Sequence, residues 1–138
     1  MNIIDVKTKI CEKGVYELLS PSVLNPTEER LQSRAKKYVE NENVHIYAYK
    51  ESSEFKGIVV FEITSGNATL LDIAVKPKHQ KCGIGSNLID FIFNSFNVNN
   101  ITAETDDDAI GFYKKYGFSI ESTVVKFDTK RYLCKIDR

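Results

Sequence analysis

The stretch that decides the fold is Gln80-Lys81-Cys82-Gly83-Ile84-Gly85. It follows the apolar, strand-like run Leu70 to Val75 and opens a segment with apolar residues at helical spacing. Two glycines separated by one residue let the backbone approach a ligand closely, and the positive end of the following helix favours an anion. The sequence therefore predicts a phosphate-binding loop, and we expect the bound group to be a pyrophosphate.

Two common phosphate loops do not fit this stretch. A Walker loop has four residues between its glycines and then Lys-Ser or Lys-Thr, whereas a single residue separates Gly83 from Gly85. A dinucleotide fingerprint requires a third glycine where Leu88 stands, and its first glycine lies close to the strand end. Seven residues separate Val75 from Gly83, which disfavours that alternative.

The loop resembles motif A of the GCN5-related N-acetyltransferase (GNAT) family, whose signature is Gln or Arg, two residues, Gly, one residue, then Gly or Ala. Gln80, Gly83 and Gly85 match it. Residues 71–77 resemble the family's fourth strand and its exit, and residues 109–118 resemble its motif B. Three blocks in the family's order, over about residues 68–118, make the resemblance specific.

The resemblance implies an α/β (α+β) fold with a mixed, mostly antiparallel central sheet of six to seven strands and about four helices. Strands 4 and 5, here residues 68–75 and 101–105, would be parallel but splayed, and the acyl donor would enter between them. The chain pattern agrees with this order of elements. It predicts strands at 2–8, 44–50, 55–64, 68–75, 101–105, 118–127 and 130–136. It predicts helices at 12–19, at 84–97 and at 106–116, and one more that is capped by Thr27 and ends near residues 41–43.

The length, charge and cysteine content of the chain limit the kinds of protein that it can be. A chain of 138 residues predicts one domain, residues 1–138, and equal numbers of basic and acidic residues, 19 each, argue against nucleic-acid and membrane-surface partners. No apolar stretch has a signal-peptide pattern or approaches the ~18 residues of a membrane span, so we expect a cytoplasmic protein. The three cysteines match no zinc or disulfide spacing, and free thiols are expected.

By resemblance, the cosubstrate is acetyl-coenzyme A. The backbone of Ile73, Ala74 and Val75 would pair with the pantetheine arm. The diphosphate would lie on the loop residues Gln80, Lys81, Cys82, Gly83, Ile84, Gly85 and Ser86. Lysines and a histidine around this loop suit a polyanion, although surface loops often carry lysines: Lys76, Lys78, His79 and Lys81. Asp106 stands where the family often has Asn, which puts a side-chain hydrogen bond to coenzyme A at that position in doubt.

Amide formation requires a neutral amine, a donor toward the oxyanion and a proton for the departing thiolate. The resemblance assigns the last role to Tyr113, whose spacing alone would suit a core aromatic. Glu104 is the candidate general base, close to where some ribosomal-protein acetyltransferases of the family hold a glutamate. Asp72 faces the cleft or solvent, and a chain of waters is an equal alternative for removing the proton.

We expect no catalytic or metal-binding role for the other reactive residues. Cys82 lies at the diphosphate end of the cofactor, which is the wrong end for an acyl-enzyme intermediate. We expect His45 to be a packed or surface histidine. The run Asp106-Asp107-Asp108 lacks metal-ligand spacing and is predicted to cap a helix, so no metal is expected.

The sequence thus predicts an enzyme that moves an acetyl group directly to a primary amine in a ternary complex. The alternative is a non-catalytic acyl-coenzyme A sensor. The acceptor, a small molecule or a protein or peptide amine, is not encoded in a motif, and a homodimer is left open. The acidic residues Asp72, Glu104 and Asp106 to Asp108 near the predicted wedge favour a cationic acceptor.

Overall fold

A computed structural model describes residues 2–23, 25–126 and 128–138. Seven strands form one sheet in the order β1-β2-β3-β4-β5-β7-β6, with helices on both faces, which confirms the expected mixed fold. The strands are β1 (Ile3–Asp5), β2 (Val44–Glu51), β3 (Glu54–Thr64), β4 (Asn67–Val75), β5 (Asn100–Thr105), β6 (Ser119–Lys126) and β7 (Thr129–Asp137). The α-helices are α1 (Lys13–Tyr16), α2 (Glu28–Glu40), α3 (Ile84–Ser95) and α4 (Ile110–Tyr116), and short 3-10 segments span Lys7–Lys9, Glu17–Ser22 and Pro77–His79.

The pairing of β4 with β5 is the one parallel pairing between the described strands, and it stops early. Its last pair is Leu70 with Ala103, although β4 runs on to Val75 and β5 to Thr105. The two strands therefore separate at this point and leave a wedge, as expected for the family. We call this gap the wedge below.

The sheet carries an apolar core on each face. One core joins α1 and α2 to β2, β3 and β4, and the other joins α3 and α4 to the sheet. Adjacent residues of β3 alternate between them, so that Val60 belongs to the first core and Phe61 to the second. The predicted apolar face of α3 is confirmed: its buried residues are Ile84, Leu88, Ile89 and Ile92.

A β-bulge in β4 lies at the start of the wedge. Val60 pairs with Asp72 and Phe61 with Leu70, which leaves Leu71 as the extra residue. An extra residue reverses the alternation of side chains along the strand. Leu70 accordingly lies in the core under α3, while Ala74 lies in the core under α2.

Several boundaries differ from the sequence prediction. The first strand ends at Asp5 rather than at residue 8, because the Asp5 carboxylate accepts the Lys7 N–H (2.9 Å) and the chain turns into a 3-10 segment. The Ser20-Pro21 step does not end the helical segment, which continues to Ser22 as a 3-10 turn. α4 begins four residues after Asp106, and α3 ends at residue 95. The predicted end of the sixth strand, Phe127, lies outside the described residues.

Candidate active site

The edge of β4 presents free peptide groups to the wedge. Lys76 donates its N–H to the Lys56 carbonyl (2.9 Å), and in an antiparallel ladder the residues that bond to a neighbour alternate. Ala74 therefore bonds to β3, whereas the peptide groups of Ile73 and Val75 point away from β3 toward the side that β5 has left. Of the three residues predicted to pair with pantetheine, two have the right backbone direction and Ala74 does not.

The loop after β4 is tied to the strand by Gln80. Its Nε2 donates to the Val75 carbonyl (3.0 Å), so the motif's glutamine acts on the backbone of the chain itself. Lys81 and Gly83 both have positive φ, 64° and 84°. Left-handed residues that alternate with ordinary ones turn successive N–H groups toward a common side, as in anion-binding nests.

The N-terminus of α3 completes this cradle. Asn87 donates its N–H to the Gly83 carbonyl (3.0 Å), which leaves the N–H groups of Ile84, Gly85 and Ser86 outside the helical ladder. No described side chain caps this helix. Unsatisfied N–H groups and the positive helix end together fit a diphosphate, so the residues present suit coenzyme A.

The structure requires glycine at positions 83 and 85 of the motif for different reasons. A Cβ on Gly83 would meet no atom within 4 Å, and its requirement is the left-handed backbone. A Cβ on Gly85 would lie 2.9 Å from Cε1 of Phe112. Gly85 therefore also allows α4 to pack closely against α3, a reason that the sequence did not indicate.

The positive charges around the loop are largely balanced by Glu54 on β3. Its carboxylate lies 3.1 Å from the Lys78 Nζ, 3.3 Å from the His79 Nε2 and 3.7 Å from the Lys76 Nζ. Hydrogen bonds from Lys78 and His79 lower the pKa of Glu54 to about 2. Among the described residues Lys81 has no ion-pair partner, which makes it the loop cation available to a phosphate.

Tyr113 on α4 is buried, with 6% of its surface exposed, and its ring packs against Phe112 and Phe118. Its hydroxyl has no hydrogen-bond partner among the described residues, yet no buried side-chain oxygen there is unsatisfied, so the hydroxyl keeps contact with solvent. Burial raises its pKa, as do the Cys134 thiol and the Asp72 carboxylate. The hydroxyl therefore holds its proton at neutral pH and can donate it.

Glu104 lies one residue beyond the last β4–β5 pair, at the mouth of the wedge. Ala103 belongs to the core under α3 and α4, so Glu104 points to the opposite face of the sheet. Its carboxylate lies 3.1 Å from the Lys126 Nζ and 3.5 Å from the Arg131 Nε, and Lys126 above all lowers its pKa. These pairs weigh against Glu104 as a general base, because a lower pKa makes a carboxylate a weaker base.

Asp72 faces neither the cleft nor solvent, which corrects the expectation for this residue. Its side chain is 2% exposed and contacts the Arg34 guanidinium at 3.2 Å, and it accepts a hydrogen bond from the Tyr38 hydroxyl. The bulge at Leu71 turns Asp72 toward α2, where these two donors lie. Arg34 and Tyr38 were not singled out from the sequence, although their spacing of four residues places them on one helix face.

Two aspartates of the run that precedes α4, Asp106 and Asp107, form contacts within the protein. Asp106 accepts the N–H groups of Asp108 (3.1 Å) and Ala109 (3.0 Å) in the turn before α4, and its other oxygen lies 3.7 Å from Arg131. The N-cap of α4 is Ala109, without a side-chain cap from the described residues, which corrects the prediction that the aspartate run caps this helix. Asp107 accepts the hydroxyl of Tyr132. Asp106 is thus engaged within the protein, which weighs against a side-chain contact to coenzyme A. Protein cations or donors balance most of the acidic groups on which the cationic-acceptor expectation rested.

The remaining residues that the sequence singled out are a histidine and three cysteines, and the structure shows the surroundings of each. His45 stacks on Phe61 (5.3 Å between ring centroids), and burial lowers its pKa. Cys11, Cys82 and Cys134 are free thiols, and Cys134 is buried. No group of three or more potential metal ligands forms within the described residues. None of the helices in that part of the chain combines the length and apolar character needed to cross a bilayer.

Comparisons with known proteins agree with this site. A family model described as an acetyltransferase (GNAT) domain matches residues 41–120. An uncharacterized ycf52-like N-acetyltransferase from Prochlorococcus marinus is 24% identical over 95 residues, or 64% of this chain; the chain spans about half (53%) of that relative's length.

Solved structures show the same fold. An acetyltransferase of the GNAT family from Desulfovibrio desulfuricans superposes with a TM-score of 0.81 at 17% identity, covering 98% of this chain and 97% of the other. An aminoglycoside 6′-N-acetyltransferase complexed with coenzyme A gives a TM-score of 0.77 at 15% identity, covering 99% and 97%. Because the family model covers more than half of the sequence and spans the wedge, the phosphate loop and α4, the chain belongs to the GNAT family of acetyltransferases.

Proposed function

We propose that this protein is an acetyl-coenzyme A-dependent N-acetyltransferase that acts on a primary amine by direct transfer in a ternary complex. The observation that carries the proposal is the wedge itself. It combines the free peptide groups of Ile73 and the free N–H of Val75, an uncapped helix N-terminus beyond Gly83 and a protonated tyrosine hydroxyl on the adjoining helix. Family membership supports the same reaction class.

In the proposed reaction the amine nitrogen attacks the acetyl carbonyl carbon, and the carbon–sulfur bond then breaks. Tyr113 gives its proton to the departing thiolate. A peptide N–H on the free edge of β4 stabilises the carbonyl oxygen as it becomes negative. The proton of the amine passes to water, and Glu104 stays ionised beside Lys126 and Arg131. Lys81 and the N–H groups before Asn87 hold the diphosphate.

We place this activity in the cytoplasm, where the free thiols of the described residues would stay reduced. The acceptor is a small-molecule amine or a peptide or protein amine. A cationic acceptor keeps little electrostatic support, since Glu104 is paired with Lys126 and Arg131 and Asp72 with Arg34.

The test is release of the coenzyme A thiol from acetyl-coenzyme A with a panel of amines. The panel contains polyamines, aminoglycosides, lysine-containing peptides, peptides with a free N-terminus and acidic amino acids, with mass spectrometry of the products. We expect thiol release that requires an amine and an acetylated amine as product. Calorimetric binding of coenzyme A without turnover on any of these amines would contradict the enzyme assignment and favour the non-catalytic sensor.

A further inference from the structure

Asp72 is the one charged residue that is buried in the described part of the chain. Its side chain is 2% exposed, and both carboxylate oxygens are bonded. The Arg34 Nη1 lies 3.2 Å from one oxygen and 3.4 Å from the other, which also accepts the Tyr38 hydroxyl. A buried ion pair is weak evidence for stability, because the cost of taking its charges out of water offsets much of their attraction. The burial of this carboxylate therefore points to a role beyond holding the fold together.

Asp72 lies where the wedge opens in β4. It follows the bulge at Leu71, and the last pair between β4 and β5 is Leu70 with Ala103. From Asp72 onward β4 therefore pairs with one strand of the sheet, β3. A bulge bends and twists its strand locally. A backbone that follows a bulge and has lost one neighbouring strand needs another contact to fix its direction.

Two sets of contacts hold Asp72. Lys76 bonds to β3, so by alternation the peptide groups of Asp72 also bond to β3. The Asp72 side chain bonds to α2, whose position is fixed by its buried residues Leu31 and Ala35. The next residue, Ile73, carries the peptide groups that point into the wedge. Asp72 is thus the anchored residue that directly precedes these free peptide groups.

The charge of Asp72 is compatible with this position. An unpaired carboxylate near a developing oxyanion would oppose it, but the Arg34 guanidinium balances Asp72 at 3.2 Å. Tyr113 belongs to the core on the other face of the sheet. Burial raises the pKa of Tyr113 most, followed by the Cys134 thiol and then the Asp72 carboxylate. Asp72 and Tyr113 are therefore close enough to interact, and they lie on opposite faces of the sheet at the wedge.

We propose, resting on the acetyl transfer proposed above, that Asp72 is a positioning residue for the transfer step. Its bonds to α2 hold the Ile73 peptide in the direction in which its N–H reaches the acetyl carbonyl oxygen as that oxygen becomes negative. Donors stabilise a transition state when their direction is fixed in advance, and a misplacement of about 1 Å can lower the rate about 10²-fold. Asp72 acts through Ile73 rather than on the substrates, since both of its oxygens are bonded within the chain.

The test combines steady-state kinetics with NMR of the full-length protein. Asp72→Asn and Tyr38→Phe should each lower kcat about tenfold or more and leave the KM for acetyl-coenzyme A unchanged, because the diphosphate loop is intact. Without substrates, the ¹⁵N order parameter of the Ile73 N–H should fall from the value of rigid backbone, about 0.85, toward that of flexible backbone, below about 0.6. Tyr38→Phe keeps the ion pair of Asp72 with Arg34, so it tests the same contact if Asp72→Asn does not fold.

The matched control is Tyr16→Phe, which also removes a hydroxyl that bonds to a carboxylate. Among the described residues the Tyr16 hydroxyl bonds to Glu28 (2.6 Å) and Gln32 (3.2 Å) of α2 and to none of β4, so kcat and the Ile73 order parameter should stay unchanged. Variants at Asp72 and Tyr38 that lose stability but keep kcat would overturn the proposal. If the natural protein acetylated no amine, the proposed function would fail. An Ile73 order parameter unaffected by these variants would overturn the anchoring whether or not the protein is an enzyme.

Discussion

In the proposed reaction the Tyr113 hydroxyl supplies the proton for the departing thiolate. The first prediction is the effect of removing this hydroxyl. Tyr113→Phe keeps the ring packed against Phe118 and should lower kcat by about 10²- to 10⁴-fold, with little change in the KM for acetyl-coenzyme A. Steady-state kinetics measure both. Tyr116→Phe is the matched control, because its hydroxyl bonds to Asp90 on α3 and should not affect turnover. An unchanged kcat in Tyr113→Phe would leave Tyr113 with a packing role.

The second residue-scale prediction concerns Gly85. Gly85→Ala places a methyl group 2.9 Å from the Phe112 ring, which should destabilise the fold by about 1–3 kcal/mol through overpacking. Denaturant unfolding measures the loss. Phe112→Leu in the same chain should restore part of it, since the smaller side chain makes room. A Gly85→Ala variant as stable as the natural protein would contradict the packing explanation.

At the scale of elements, Asp72 links α2 to β4 beside the wedge. Asp72→Asn should cost about 1.5–3 kcal/mol in unfolding free energy, because two donors that bond to a buried carboxylate lose their charged partner. Burial and Asp72 both raise the pKa of Tyr38, so its hydroxyl remains a donor throughout the working pH range. Tyr38→Phe provides the second arm of a double-mutant cycle. We expect non-additive losses for the pair, and strict additivity would show that the two residues act independently.

The contacts of β5 with the β6–β7 hairpin depend on pH through Glu104. Its pKa in the folded state lies below the ordinary value of 4.5, so its ion pairs stabilise the protein above that pH. The contribution disappears as pH falls through the lowered pKa. Glu104→Gln should therefore reduce stability at pH 7 by less than about 1 kcal/mol, as for other exposed pairs, and leave it unchanged in strong acid. Unfolding measured from pH 7 to pH 2 tests this, and an equal loss at both ends would contradict it.

At the scale of the molecule, the sheet separates two apolar cores, and the wedge opens between two strands of that sheet. Coenzyme A would span the edge of β4 and the N-terminus of α3, so its binding should stabilise the folded state. At a concentration 100 times its Kd, the expected gain in unfolding free energy is about 2.7 kcal/mol. Thermal unfolding with and without coenzyme A measures this. Gly83→Ala, which strains a φ of 84°, should show a smaller gain at the same concentration, and an equal gain would contradict the role of the loop.

The sequence by itself determined the features that depend on neighbours along the chain. Thr27 caps α2 by accepting the Arg30 N–H (3.1 Å), as its position before the helix predicts. Helical spacing identified the buried face of α3, and the glycine spacing located the phosphate loop. These features are local because capping, periodicity and a left-handed backbone involve residues only a few positions apart.

The tertiary structure alone decided the contacts that give each site residue its properties. Arg34 reaches Asp72 across 38 positions of the chain, and Lys126 reaches Glu104 across 22. The bulge at Leu71 decides which face Asp72 takes, and no local pattern signals it, since strict alternation would place Leu70 and Ala74 on the same face. Burial and charge pairing depend on which distant segments pack together, so the charge balance at the wedge could be read only from the folded chain.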